Sequence, residues 1–303
     1  MEVKTSVIEN NLKGEMSFFR SKVSDFNQLV KFRLTFLVVF SSVVTYLTAS
    51  KGAINWFEVA ILTLGGFLVT GASNAINQII EKDYDKLMVR TANRPIATNR
   101  MSVMEASIIS MIMGLTGVFL ISFYLNAASG WLAFFALISY AFIYTPLKRV
   151  SPVSVFVGAF PGAIPTMLGW VAYSGRIDTP AIILFAVQFF WQFPHFWSIA
   201  WILDDDYKRA GFKMLPSTPG RDKGTALQTL IFSLALIPLG MLPMQYGITG
   251  ITSGIVGILG GLMLSYYSYR LLKTCETKDA KKLMFASFVY LPLVQLAYLF
   301  DKI

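Results

Sequence analysis

The feature that most constrains this chain is a series of seven long stretches that contain no charged residue. Each is long enough to cross a bilayer as a helix, which takes about 20 residues. The stretches are residues 34–50, 59–80, 106–147, 150–175, 179–203, 224–269 and 283–300. Two of them have about double length, and each carries turn-forming residues near its middle, at 126–130 and 245–250. The sequence therefore predicts nine transmembrane helices.

The composition supports a membrane protein and excludes an ordinary soluble domain. Charged residues make up 14% of the 303-residue chain and hydrophobic residues 55%, whereas soluble domains average roughly 25% charged residues. We therefore expect an all-α, polytopic membrane protein whose nine helices surround a central cavity. The polar residues 1–32 are expected to form an N-terminal arm, and residues 33–303 a transmembrane domain.

Basic residues are distributed unevenly among the connections between these helices. Of the 26 lysines and arginines, 23 lie in the N-terminal segment and in alternate connections, and the other three are Lys51, Arg176 and Lys302. Because basic loops stay in the cytoplasm, this pattern predicts a cytoplasmic N-terminus and an external C-terminus. The net charge of +9 then reflects topology, so no nucleic-acid partner is expected. We expect a multi-pass protein of the cell (inner) membrane, with the lipid bilayer as its partner.

The sequence offers no sulfur-based metal site. The single cysteine, Cys275, has no partner for an internal disulfide, and the single histidine, His195, cannot complete a zinc or iron–sulfur cluster. A metal ion in this chain would therefore be bound by oxygen atoms.

An oxygen-rich stripe is predicted at the end of the second span. Asn77, Glu81 and Asp85 are four residues apart, so on a continuous helix they share one face. Hard oxygen ligands suit Mg²⁺, which commonly binds through carboxylates together with substrate phosphates. Asp83 points away from this stripe on a regular helix, and it joins the ligands only if the helix loosens there.

Basic residues follow the stripe and lie on the same predicted membrane face. Arg90 and Arg94 suit phosphate oxygens, and Lys148 with Arg149 ends the fourth span on that face. The alternative interpretation is a solvated loop whose acids pair with neighbouring basic residues. Acids beside a membrane cavity favour the functional interpretation, because placing charge there is costly.

A second acidic cluster, residues 204–206, closes the sixth span. Successive helical residues point about 100° apart, so we expect only one or two of these three aspartates to bind a metal. The alternative is solvation of a helix end, with local pairing to Lys208 and Arg209.

His195 lies in an apolar part of the same span, close to Trp191. A lone histidine commonly serves packing, but an ionisable residue inside a membrane span is a functional candidate. Its candidate roles are ligation of a haem iron, proton relay, or orientation of an acceptor group.

These motifs resemble those of the UbiA-type intramembrane prenyltransferases, over essentially the whole membrane domain. The first aspartate-rich motif of that family matches Asn77, Glu81 and Asp85, with glutamate in place of the middle aspartate. Further elements resemble the haem-modifying branch of the family: Asp83, Arg90-Thr91, Arg94-Pro95, Trp191-Gln192, Pro194-His195-Phe196, Asp206-Tyr207, Ala210-Gly211 and Met214-Leu215-Pro216. In the second acidic motif this sequence departs from the family, because no aspartate follows four residues after any of the aspartates at 204–206.

The resemblance implies an enzyme that transfers the farnesyl group of farnesyl diphosphate to a vinyl group of haem B. Water addition would give haem O, which a downstream haem-modifying enzyme or terminal oxidase would use. The implied cofactor is Mg²⁺, held chiefly by the first motif. The implied metal ligands are Asn77, Glu81, Asp83, Asp85, Asp205 and Asp206, of which Asn77, Glu81, Asp85 and Asp206 are the implied catalytic set. The implied diphosphate contacts are Arg90, Arg94, Lys148 and Arg149, and the implied haem contacts are His195 and Trp191.

Two alternatives stay open at this point. Another prenyltransferase of the same family, acting on a quinone precursor or a chlorophyll-like ring, would share the metal site. A cation-coupled transporter could also use acids embedded in the membrane. It would place them near the midplane of the bilayer, however, whereas these acids lie at one face.

Overall fold

The fold is a bundle of helices that are long enough to cross a membrane. The computed structural model describes residues 20–303, and within that range nine spans have the length and apolar character of membrane helices. The helices are α1 (20–29), α2 (Phe32–Ala49), α3 (Trp56–Asp85), α4 (Val103–Tyr124), α5 (Ala127–Ile138), α6 (Thr145–Val150), α7 (Ser154–Ser174), α8 (Thr179–Ile202), α9 (Asp204–Arg209), α10 (Lys223–Gln245), α11 (Ile251–Thr274) and α12 (Thr277–Phe300). The predicted all-α membrane fold is confirmed.

Both double-length stretches divide where the turn-forming residues lie. α4 and α5 are separated at Asn126, whose side chain accepts a hydrogen bond from the backbone N–H of Ser129 and so caps α5. α10 and α11 are separated at 246–250, where Gly247 adopts a positive φ of 65°.

The fourth span changes helix type as it nears the end of the bundle where α3 ends. α5 continues through a π-helical segment, Ser139–Tyr144, into α6. A π-helical turn inserts an extra residue and rotates the side chains that follow, and such turns are frequent at functional sites.

Successive spans run in opposite directions and pack as a ring of neighbours. α2 contacts α3, α7 and α12, and α8 contacts α7, α10 and α12. Two long connections, at 86–102 and 203–222, therefore lie at the same end of the bundle, which we call the acid face. Large apolar side chains such as Leu115, Phe119 and Trp131 point outward, as a lipid environment requires.

The predicted arm at 1–32 lies partly outside the described residues. Its described part packs against α3, with Leu29 and Val30 fully buried. The Gln78 side-chain amide donates hydrogen bonds to the carbonyls of Gln28 and Leu29, at 2.9 and 2.8 Å. The turn between α1 and α2 is therefore held at the acid face by a side chain of the second span.

α2 and α7 approach so closely that only glycine fits at their crossing. A Cβ added to Gly169 would lie 2.0 Å from the carbonyl oxygen of Ser42. We expect Gly169→Ala to destabilise the bundle by about 1–3 kcal/mol, because the backbone of α2 must move. Thermal unfolding of the purified protein in detergent measures this. Gly66→Ala is the matched control, since its Cβ would meet only Val39, at 3.5 Å; equal melting temperatures for both variants would contradict the expectation.

Candidate active site

A cavity of about 160 Å³ opens at the acid face, where α3 and α6 end and α2 begins. Its polar lining consists of Lys31, Asn77, Glu81, Arg90, Arg94 and Lys148. Its apolar and aromatic walls include Leu34, Met88, Tyr140, Tyr144, Tyr207 and Phe212. The cavity thus combines several positive charges with buried oxygen atoms under an aromatic wall.

The oxygen-rich stripe forms as the spacing predicts. α3 is continuous through Asp85, so Asn77, Glu81 and Asp85 lie above one another on one helix face. All three side chains are buried. Asn77 and Glu81 line the cavity directly, and Asp85 reaches it through Arg94.

Each buried carboxylate of the stripe is neutralised by a cation from another part of the chain. Glu81 Oε1 lies 2.8 Å from Nζ of Lys148, and both oxygens of Asp85 accept from Nη1 of Arg94, at 2.7 and 2.8 Å. Removing one partner of a buried pair is strongly destabilising, by about 3–5 kcal/mol. The pairs therefore fix the fourth span and the loop at 86–102 against α3.

Two of the sequence-predicted metal ligands lie elsewhere. The side chain of Asp83 is 66% exposed and pairs with Lys86 at 3.0 Å. The side chain of Asp205 is 75% exposed and pairs with Arg221 at 2.9 Å. Neither lines the cavity, because α3 stays regular at Asp83 and α9 turns Asp205 outward. Within residues 20–303, no cluster of three or more His, Cys, Asp or Glu side chains forms a ready-made metal site.

Asp206 joins the two loops of the acid face. Its carboxylate accepts hydrogen bonds from the backbone N–H groups of Val89 and Arg90, at 3.2 and 3.3 Å, and pairs with Arg209. Desolvation acts to raise the pKa of Asp206, but these bonds outweigh it and lower the pKa below its usual range. Asp206 thus positions the backbone that carries Arg90 at the cavity.

The two basic residues at the end of the fourth span lie in different surroundings. Lys148 lines the cavity, with Nζ 4.6 Å from the centre of the Tyr144 ring. Arg149 stacks on Tyr84 instead, 4.1 Å from its ring centre, and donates to its hydroxyl. The structure therefore brings Arg90, Arg94 and Lys148 together at the cavity, and places Arg149 beside it.

Among the cavity residues that the sequence reasoning missed, Lys31, Tyr140 and Tyr144 carry polar or aromatic groups that bear on the chemistry. Lys31 lies in the turn between α1 and α2, at a positive φ of 49°, and donates to Oδ1 of Asn77 at 3.2 Å. Burial, together with Arg94 and Lys148, lowers the pKa of Lys31 well below its usual range. Tyr140 and Tyr144 lie eight and four residues before Lys148, a helical spacing that signals a shared face. Nothing in the sequence signals Lys31.

His195 and Trp191 form a second cluster, which does not line this cavity. Both are buried in α8 and their rings stack, with centres 4.5 Å apart. His195 Nδ1 lies 2.9 Å from Oγ of Ser287 in α12, a residue that the sequence reasoning also missed.

The chemistry available at the cavity follows from its charges. Arginine and lysine side chains bind phosphate oxygens, and buried carboxylate and amide oxygens are ligands that Mg²⁺ prefers. Aromatic walls keep water from a reactive centre. The arrangement suits a phosphorylated lipid-soluble compound that enters with a divalent cation.

Comparisons with known proteins identify the family. Residues 37–289 match the UbiA prenyltransferase family. The Protoheme IX farnesyltransferase of Cytophaga hutchinsonii is 46% identical over 93% of this chain and 99% of its own length, and that of Christiangramia forsetii is 47% identical over 93% and 94%. A UbiA homologue from Archaeoglobus fulgidus, whose structure holds GPP and Mg²⁺, shares the fold with a TM-score of 0.71 at 14% identity, over 90% of this chain and 99% of its own. The chain therefore belongs to the UbiA prenyltransferase family, and it is a membrane-embedded transferase.

Proposed function

We propose that this protein transfers the farnesyl group of farnesyl diphosphate to a vinyl group of haem B, with addition of water, to give haem O. The observation that carries the reaction class is the cavity in which basic side chains from three segments surround the buried face of α3. The relatives named Protoheme IX farnesyltransferase, matched over nearly their whole length, support farnesyl diphosphate and haem as the substrates.

The diphosphate binds where the cavity concentrates positive charge. Arg90, Arg94 and Lys148 contact its oxygens, and Lys31, which donates to Asn77, adds a fourth nitrogen donor. These groups become better partners as the carbon–oxygen bond breaks, because negative charge then accumulates on the leaving diphosphate. Arg149 holds the rim of the cavity through Tyr84.

The oxygen donors of α3 fit Mg²⁺. Asn77, Glu81 and Asp85, with Asp206 from the second acidic cluster, would hold the ion. The carboxylates of Glu81 and Asp85 are already buried and paired with basic residues that suit phosphate, which is consistent with an exchange of partners on binding. When bound, the metal supplies a positive charge that stabilises the leaving diphosphate.

The walls protect the allylic cation that ionisation produces. Tyr140 and Tyr144 present aromatic rings to the cavity, and the negative faces of such rings attract a cation. Leu34 and Phe212 exclude water. The cation therefore survives until the haem vinyl group attacks it, and His195 with Trp191 holds the haem.

The placement in the cell follows from the distribution of basic residues. We place the acid face on the cytoplasmic side of the cell membrane, the N-terminus on the same side and the C-terminus outside. A downstream haem-modifying enzyme or terminal oxidase would receive the product from the bilayer. The transporter alternative is set aside, because the chain is a transferase whose buried acids lie at one face.

The first experiment is the reaction itself. We expect the purified protein in detergent to convert haem B and farnesyl diphosphate, with Mg²⁺, into a farnesylated and hydrated haem plus diphosphate, and we expect EDTA to abolish the product. Mass spectrometry measures both products. Turnover of a quinone precursor or a chlorophyll-like ring, with no turnover of haem, would contradict the proposed acceptor and retain the reaction class.

The stripe on α3 can be tested with a control on the same helix. We expect Asp85→Asn and Glu81→Gln each to lower kcat by roughly 100-fold or more, because each removes a carboxylate that would hold the Mg²⁺ ion whose positive charge stabilises the leaving diphosphate. Asp83→Asn is the matched control, since Asp83 is exposed and outside the cavity. Farnesyl transfer rates are measured on variants whose elution in size-exclusion chromatography is unchanged. Full activity of Asp85→Asn would refute the ligand set.

The contribution of Lys31 can be measured without catalysis. We expect Lys31→Met to weaken the binding of inorganic diphosphate with Mg²⁺ about tenfold, because a hydrogen bond to a charged group is lost. Isothermal titration calorimetry gives the affinity. Lys51→Met, at an exposed lysine of the opposite face, serves as the control. Equal affinities for the two variants would exclude Lys31 from the diphosphate site.

A further inference from the structure

The imidazole of His195 is held on several sides at the junction of α8 and α12. Trp191 stacks on one face, at 4.5 Å and an interplanar angle of 17°. Phe288 meets the ring edge-on at 5.1 Å, and Phe196 lies 5.4 Å away. Ser287 contacts both members of the stack: its carbonyl accepts from the Trp191 indole at 2.9 Å, and its hydroxyl bonds Nδ1 of His195 at 2.9 Å. The ring is thereby fixed in one orientation.

The partners of Ser287 determine which nitrogen of His195 carries the proton. Oγ of Ser287 also lies 2.7 Å from the carbonyl oxygen of Met284. A carbonyl can only accept, and a hydroxyl has a single proton to donate. The Ser287 hydroxyl therefore donates to Met284 and accepts from Nδ1–H of His195. The neutral imidazole in this tautomer has its lone pair on Nε2.

Nε2 is left available. Within residues 20–303 no side chain or backbone group forms a hydrogen bond with Nε2. The atom is also not fully enclosed by the protein. His195 keeps 9% of its surface exposed, and the neighbouring Phe288 keeps 47%, facing the exterior of the bundle. An unprotonated Nε2 at an apolar, aromatic edge is a ligand suited to a haem iron.

The depth of this nitrogen matches that of the cavity. His195 lies seven residues before the end of α8, and Asn77 lies eight residues before the end of α3. Both helices end at the acid face, so at 1.5 Å per residue the two side chains lie about 10 and 12 Å below it. Counted along their helices, His195 and Asn77 therefore lie at similar distances from the acid face.

We propose that Ser287 is a positioning residue that keeps His195 protonated on Nδ1, so that Nε2 coordinates the iron of the haem acceptor at the edge between α8 and α12. This inference rests on the proposed function in one respect, namely that haem is the acceptor. It adds the atom that binds the iron, the residue that orients it and the face of the bundle that receives the ring.

The test is titration of the full-length purified protein with haem B, followed by absorption spectroscopy. We expect Ser287→Ala to weaken haem affinity about 10- to 100-fold and to alter the Soret band, as loss of a hydrogen-bond partner of a metal-ligating histidine does. Ser287→Thr retains the hydroxyl and is expected to preserve both. His195→Gly is expected to lose the spectrum of an imidazole ligand and to regain it when free imidazole is added.

Two controls separate this role from a structural one. Ser268→Ala removes another buried hydroxyl, which bonds Ser233 at 2.7 Å between α10 and α11, and is expected to leave the haem spectrum unchanged. Binding of diphosphate with Mg²⁺ is expected to stay the same in every variant, which shows that the cavity is intact. Unchanged haem affinity and spectrum in both Ser287→Ala and His195→Gly would overturn the inference while the unaltered protein still farnesylates haem. Failure of the unaltered protein to bind or modify haem would overturn the proposed acceptor as well.

Discussion

Glu81 and Asp85 place two carboxylates below the surface of a bundle whose outside is apolar, where an unpaired charge costs several kcal/mol. The rest of the acid face is arranged around their neutralisation. Lys148 comes from the end of the fourth span and Arg94 from the loop after α3, so neither partner is close along the helix. The fold therefore has to bring α6 and the loop at 86–102 onto the end of α3 before those charges can be buried.

The second acidic loop, at 203–222, is tied to the first by hydrogen bonds to the backbone of the loop at 86–102. Asp206 holds the N–H groups of Val89 and Arg90, while Asp204 pairs with Lys208 at 2.7 Å within its own short helix. The two loops are thus bonded directly to each other, although Val89 and Asp206 are 117 positions apart in the chain. Asp206, a side chain of α9, thus determines where the backbone of Arg90 lies.

The spans and the oxygen-rich stripe could be predicted from the sequence because both depend on short-range periodicity. A bilayer sets the length of a charge-free helix, and 3.6 residues per turn set which residues of α3 share a face. The remaining features depend on distant parts of the chain. Lys31, for example, reaches the cavity only because the chain turns between α1 and α2. The contact between His195 and Ser287 joins residues 92 positions apart, which no local pattern encodes.

The polar side chains of α3 have two roles within a few turns of helix: some hold the neighbouring chain before α2, and others face the cavity. Asn74 donates to the carbonyl of Val30 and to the hydroxyl of Thr35, and Gln78 holds the end of α1, while Asn77 between them faces the cavity. Substitutions on this helix should therefore be harmful for two different reasons: at Asn74 and Gln78 because they loosen the turn before α2, and at Asn77 because they alter the cavity. Asn74 and Gln78 hold the turn that leads into α2 without touching the contents of the cavity. A loss of activity on their substitution would therefore report the position of that turn and not the chemistry of the cavity.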